Sequence, residues 1–252
     1  MGLPPWDRRS AYMEDRNQVE VLGGFAFSVG GDALLGISAG SQRLLAFLAV
    51  RDHMVTRAQV AGTLWPDSSE ERAGANLRAA VSRLDPHTRD ALDVTASNLS
   101  LAEGVAVDIR RAKALARRLI DRDAPEAELD IGRLAVSALS DDLLPGWYDD
   151  WAVIEGTDWH QLRTHALEAV AARLTAADRL AEAATAALAA VRAEPLRESA
   201  RAALIRVHLA EGNQSSAIEE FERYRVLLHA DLNLEPTSRL RRMLDELREN
   251  VA

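Results

Sequence analysis

Apolar and polar residues alternate near the start of the chain and recur at helical spacing through the remainder. Val19 to Leu22, then Phe25, Phe27 and Val29, are interleaved with small or polar residues, the period of strands with one covered face. Gly30-Gly31 reads as a hairpin turn, and Leu34-Leu35 with Ile37 as a third short strand. From Ser41 the period is helical, with Ser41 as the cap and Leu44, Leu45 and Leu48 facing inward. A second helix opens at the capping box Thr56-Arg57-Ala58-Gln59 and must end by Trp65, because Pro66 follows. A third runs from Ser68-Ser69-Glu70-Glu71 to about Asp85, before Pro86. Leu92 and Val94, then Leu99 and Leu101, flank Ala96-Ser97-Asn98 as a second hairpin. Strands, three helices and a closing hairpin predict a winged helix-turn-helix of the response-regulator effector type, an α+β domain over residues 18–108 behind a mobile arm at 1–17.

From Ile109 the spacing is helical throughout, broken at Asp123-Ala124-Pro125 and at Leu144-Pro145-Gly146. Ala183-x3-Ala187 returns as Ala217-x3-Phe221, and Asp178 as Gly212, each offset by 34 residues. That is the period of tetratricopeptide helix pairs, in which small residues let neighbouring helices approach closely. Pro195 closes one such unit, whereas Pro236 comes seven residues late. The chain is therefore expected to be mainly α, with an all-α tetratricopeptide-like repeat domain over 109–252.

With 48% hydrophobic and 27% charged residues, the chain belongs with ordinary globular proteins rather than disordered ones. No apolar run approaches the roughly 20 residues that span a bilayer, and Met1 to Gln18 lacks the apolar stretch of a signal peptide, so a cytoplasmic, nucleoid-associated protein without a membrane partner is expected. The absence of cysteine removes disulfides, thiol catalysis and cysteine-type zinc sites. A net charge of −9 argues against general polyanion binding, which needs Lys and Arg to neutralise phosphates. Even Met1 to Arg110 carries 11 arginines and no lysine against 14 carboxylates, a balance of −3.

Specific DNA binding then has to rest on a local surface. On a wheel with Leu77 at zero, Ala73, Ala80, Val81 and Leu84 fall within roughly 60° and form the buried stripe of the third helix. The other side presents Arg72, Ala75, Asn76, Ala79, Ser82 and Arg83, with Arg78 at the flank. Small residues there would let the backbone approach a major groove, where Arg can take guanine O6 and N7 and Asn adenine N6 and N7. An amphipathic helix has a polar face in any case; its place as third helix before a wing favours the DNA-reading sense. The wing offers Thr95, Ser97, Asn98 and Ser100 but no basic residue, so it can hydrogen-bond phosphates with little attraction. Arg43, Arg51, Arg57 and Arg89 are either phosphate contacts or ordinary solvated charges, and the latter is the simpler reading.

These residues resemble the antibiotic regulatory protein (SARP) family, in which such a winged helix precedes a bacterial transcriptional activator domain. The resemblance covers about Val19 to Glu249. It is carried first by Val21-Leu22-Gly23-Gly24-Phe25, by Gln42-Arg43-Leu44-Leu45-Ala46-Phe47-Leu48-Ala49, by Leu64-Trp65-Pro66-Asp67 and by Asn76 to Leu84. More specific are Asp142-Leu143-Leu144-Pro145-Gly146-Trp147-Tyr148-Asp149-Asp150-Trp151, Glu194 to Ser199, Ala210-Glu211-Gly212-Asn213 and Leu232-Asn233-Leu234-Glu235-Pro236-Thr237. The resemblance implies a transcriptional activator that binds promoter direct repeats in double-stranded DNA and contacts RNA polymerase holoenzyme, with a homodimer compatible. Two departures are Asp85, where the family usually continues with basic residues, and the short, uncharged wing. No G-x-x-x-x-G-K-[ST] occurs, so a nucleotide switch is not expected, and no cofactor is implied.

Other signals point elsewhere less strongly. Gly36-Ile37-Ser38-Ala39-Gly40 matches the G-x-S-x-G nucleophile elbow, but helices follow where an α/β sheet is needed, and no enzyme is expected. His160 and His165 are off a common helix face for metal binding, and Trp147, Trp151 and Trp159 have core spacing as much as pocket spacing. Arg223, Arg225, Arg239, Arg241 and Arg242 are interspersed with Glu222, Asp245 and Glu246, a mixed surface. The rival function is a protein-interaction adaptor whose repeats bind a partner while the winged helix has little DNA affinity of its own.

Overall fold

The computed structural model describes residues 17–121, 123 and 131–249, with the side chains of 245–249 left aside. The expected arm at 1–17 lies outside the described residues except for Asn17, as do Ala124 and Pro125 of the first expected break. The chain forms two compact units: Met1–Ala112 with Asp142–Trp159, and Lys113–Asp141 with His160–Ala252. The expected division at 108/109 does not coincide with this one, because residues 142–159 pack with the N-terminal elements.

In the first unit, β1 (Asn17–Glu20) pairs antiparallel with β2 (Ala26–Val29), which pairs with β3 (Asp32–Ala33) across Gly30-Gly31. Both turn glycines have positive φ, which only glycine adopts without strain. Val19 and Phe27, opposite one another in this register, are buried. The strand expected at Leu34-Leu35 and Ile37 does not form: Gly36, at φ +85, ends the extended run, and Leu35 is exposed. Ser38, not Ser41, caps α1 (Ala39–Ala49), its Oγ accepting the Ser41 N–H.

Next come β4 (Val55–Thr56), α2 (Arg57–Leu64), capped by Thr56 as expected, and α3 (Glu70–Ser82), capped by Ser69. α3 stops three residues before Asp85, which instead caps an unexpected short helix, α4 (Pro86–Asp90). β5 (Leu92–Val94) and β6 (Asn98–Leu101) form the expected hairpin, and β4 completes a sheet of order β4-β6-β5. β7 (Ala106–Val107) joins the first sheet parallel to β1, giving β3-β2-β1-β7. Two-residue strands such as β4 and β7 are too short to show a period. Leu44, Leu45, Phe47, Leu48, Val60, Leu64, Leu77 and Leu99 form the buried centre of this winged helix.

α5 (Asp108–Ile120) follows directly. The Asp108 carboxylate accepts the N–H groups of Val21, Leu22 and Ile109, tying the end of β1 to the start of α5. Burial raises its pKa against these hydrogen bonds.

The second unit contains α6 (Arg133–Ala138), the later part of α7 (Asp150–Ala176), α8 (Leu180–Ala193), α9 (Glu198–Ala210), α10 (Gln214–Leu232) and α11 (Ser238–Glu249). The 34-residue offset superposes like positions: Ala183, Ala187 and Ala217 are buried, and Asp178 and Gly212 turn the chain with left-handed backbone. Pro236 is late because α10 has 19 residues where α8 has 14, and because the proline follows the helix end after a turn two residues longer. Arg201, buried between α9 and α10, pairs with Glu220 and donates to the Pro195 carbonyl, while Tyr224 Oη donates to the Leu196 carbonyl. Leu240 and Leu244 of α11 cover this cluster. A mainly α chain with an N-terminal winged helix and an all-helical repeat region is thus the fold that the periodicities predict.

Candidate nucleic-acid interface

α3 is built to present one face. Ala73, Leu77, Ala80, Val81 and Leu84 are buried, as the wheel requires, while Arg72, Ala75, Arg78, Ser82 and Arg83 are exposed. Asn76 and Ala79, expected on the outer face, are half-buried at its margin. Glu70 and Glu71, exposed in the first turn, favour the helix through its macrodipole but bring negative charge to the reading end. The pose of α3 is held from behind by Ser41: wholly buried on α1, it donates from Oγ to the Ala80 carbonyl at 2.9 Å. Gly40 lies at the same crossing, where a Cβ would stand 3.9 Å from Ala80 Cβ.

Asp85 has a role that explains its departure from a basic residue. Slight burial, which raises its pKa, is outweighed by hydrogen bonds from the Thr88 hydroxyl and from the Thr88 and His87 N–H groups, so the carboxyl is held below its ordinary value. It is a helix cap rather than a free repulsive charge.

The polar residues of the wing bond largely to one another. Thr95 Oγ1 accepts the Asn98 N–H at 2.9 Å, and Asn98 Nδ2 donates to Ser97 Oγ at 3.1 Å. The wing itself carries no basic residue, but α2 brings one to its turn. Arg57 donates its main-chain N–H to the Ser97 carbonyl at 2.8 Å and its guanidinium to the Thr95 carbonyl at 3.3 Å, so a cation sits in the turn. Forty residues separate Arg57 from Ser97, and no local pattern announces the contact.

Most of the described arginines of this unit fall into two sets, Arg111, exposed on α5, belonging to neither. Arg43 pairs with Asp149, Arg51 with Glu155 at 2.8 Å, and Arg110 donates to the carbonyls of Leu48, Ala49 and Arg51. Arg43 and Arg51 are therefore held by carboxylates rather than freely solvated. Among the described residues, Arg57, Arg72, Arg78, Arg83 and Arg89 have no carboxylate partner; the first four lie on the helix-turn-helix and Arg89 on α4, between α3 and the wing. Ser38 of the G-x-S-x-G stretch is taken up in capping α1, where it also bonds Ser41 Oγ at 2.8 Å. Trp151 and Trp159 are buried core residues and Trp147 is half-buried. His160 Nδ1 faces Arg163 and His165 Nδ1 faces the Gln161 carbonyl; among the described residues no three potential metal ligands gather.

Comparison with known families matches residues 107–248 to the bacterial transcriptional activator domain, more than half of the chain. The chain belongs to this family. It is a transcriptional regulator of the SARP type, as the sequence resemblance implied, and the family is one of regulators rather than enzymes. Among solved structures, Mycobacterium tuberculosis EmbR in complex with a low-affinity phosphopeptide is similar at a TM-score of 0.64 and 20% identity, over 94% of this chain and 66% of that one. This second likeness extends over the winged helix, which the family match leaves out, and concerns the fold alone. No curated protein matches. Among the described residues no helix of this family member is long and apolar enough to cross a membrane.

Proposed function

We propose that this activator-domain protein binds double-stranded promoter DNA sequence-specifically, with α3 in the major groove. Arg72, Arg78 and Arg83 supply the charge, Asn76 and Ser82 supply polar contacts, and Ala75 and Ala79 permit close approach. Thr95, Ser97, Asn98 and Arg57 of the wing region meet the adjacent backbone. The observation that carries this reading is that Arg57, Arg72, Arg78 and Arg83, on the helix-turn-helix, have no carboxylate partner, whereas Arg43 and Arg51 are taken up by Asp149 and Glu155. We further propose that the repeats over 109–252 contact RNA polymerase, that the protein activates from direct repeats as a homodimer, and that it works on the nucleoid in the cytoplasm.

Affinity selection of source-genome fragments by the purified protein, beside an Arg78→Ala/Arg83→Ala control, tests the reading. Enrichment of a few promoter fragments with shared repeats, lost in the control, is expected. No enrichment at low salt would overturn it in favour of a protein-interaction adaptor.

A further inference from the structure

Residues 142–159 fall inside the stretch matched by the activator-domain family, yet they are built into the winged helix. Gly23 donates its N–H to the Asp142 carbonyl and Leu144 to that of Val21, both at 2.8 Å, and Leu22 and Leu143 form an antiparallel bridge. Leu144, buried, holds φ +44, a conformation that a leucine keeps only where its surroundings impose it. Beyond it, Asp149 and Glu155 take Arg43 and Arg51, and the Trp151 and Phe47 rings meet in a T-shaped pair with centroids 5.4 Å apart. Arg43 and Phe47 are four residues apart on one side of α1, and Arg51 follows just past its C-terminal end, its N–H on the Leu48 carbonyl; Ser41, which holds α3, lies on another side. The seam leaves Nε of Arg43, Nε of Arg51 and Nε1 of Trp151 buried without hydrogen-bond partners, so the two carboxylates carry most of its polar compensation.

We propose that residues 142–159 are a positioning strap of the winged helix: Asp149 and Trp151 hold α1, Glu155 holds Arg51 at its C-terminal exit, and α1, through Ser41 and the Gly40 crossing, sets the pose of α3. The DNA-reading unit is thereby completed by a stretch of the activator-domain sequence. The consequence for DNA rests on the function proposed above; the mechanical role does not.

Hydrogen exchange of the full chain tests the mechanical role. Glu155→Arg is expected to speed exchange of α1 and α3 amides by about tenfold or more while α9 and α10 amides are unchanged, and Arg51→Glu/Glu155→Arg to restore protection. Glu155→Gln makes the same comparison where the reversal prevents folding. Unchanged protection of α1 and α3 would overturn the proposal, and so would an equal loss in α9 and α10. Duplex affinity supplies a second readout with an opposed sign. Glu155→Arg makes the protein more positive, so a bystander residue would leave binding equal or tighter, whereas a strap residue weakens it several-fold. A wild-type protein that binds no duplex would sink the proposed function and leave the exchange experiment to decide on the strap.

Discussion

Single residues on α3 divide into readers and supports, and their substitutions should separate in experiment. Arg83→Ala and Asn76→Ala are each expected to cost about 1–3 kcal/mol in affinity for a cognate duplex with an unchanged melting temperature. Titration of a labelled duplex beside a thermal melt checks this, and unchanged binding by both would remove α3 as the reader. Asp85 should show in stability against pH. Its folded pKa lies below the ordinary value of 3.8, so its contribution is present above that value and is lost as pH falls through the folded one. Asp85→Asn should therefore melt lower than wild type at neutral pH, and the gap should close as pH falls below the ordinary carboxylate value and through the folded one. A gap independent of pH would show that the ionised cap contributes nothing.

Whole elements depend on what lies beneath them and on how they turn. Leu77→Ala should leave a cavity under α3 and destabilise the winged helix by about 2–5 kcal/mol, seen in denaturant unfolding. In the repeat region Gly212 sits at φ +76 with open space where a Cβ would go. Gly212→Ala should thus cost about 1–2 kcal/mol through backbone strain alone, with no steric component. A neutral result in chemical denaturation would show that the turn between α9 and α10 relaxes freely. Legibility also varied by element. The cap Thr56 and the Gly30-Gly31 turn could be read because each is a local rule, and the 34-residue offset because like positions recur, whereas the capping-box start at Ser68 lies one residue ahead of the observed cap, Ser69. The cap at Ser38 was missed because Ser41 looked equally apt until burial against Ala80 claimed it.

At the scale of the molecule, a net charge of −9 opposes DNA and leaves any binding to a local surface. The logarithm of the binding constant should fall with that of salt concentration by about 0.9 per phosphate neutralised. Arg57→Ala should shallow this slope by about one contact without altering preference between sequences, unlike Arg72→Ala. An unchanged slope would take Arg57 out of the interface.

The sequence by itself determined the three helices of the winged helix, the strands β1, β2, β5 and β6, the buried face of α3, the cap at Thr56, the helical character beyond Ile109 and the repeat period, but not α4, β4 or β7. Apart from the repeat period, what it determined depends on neighbours within a turn or two. It also held the residues of α3 that point outward. Only the tertiary structure decided which arginines remain available. The partners of Arg43 and Arg51 lie more than a hundred positions away, at Asp149 and Glu155, and Arg57 gains its place in the wing from the pairing of β4 with β6. Charge pairing acts through space at a few ångströms, and no periodicity along the chain records which distant carboxylate will come within that reach.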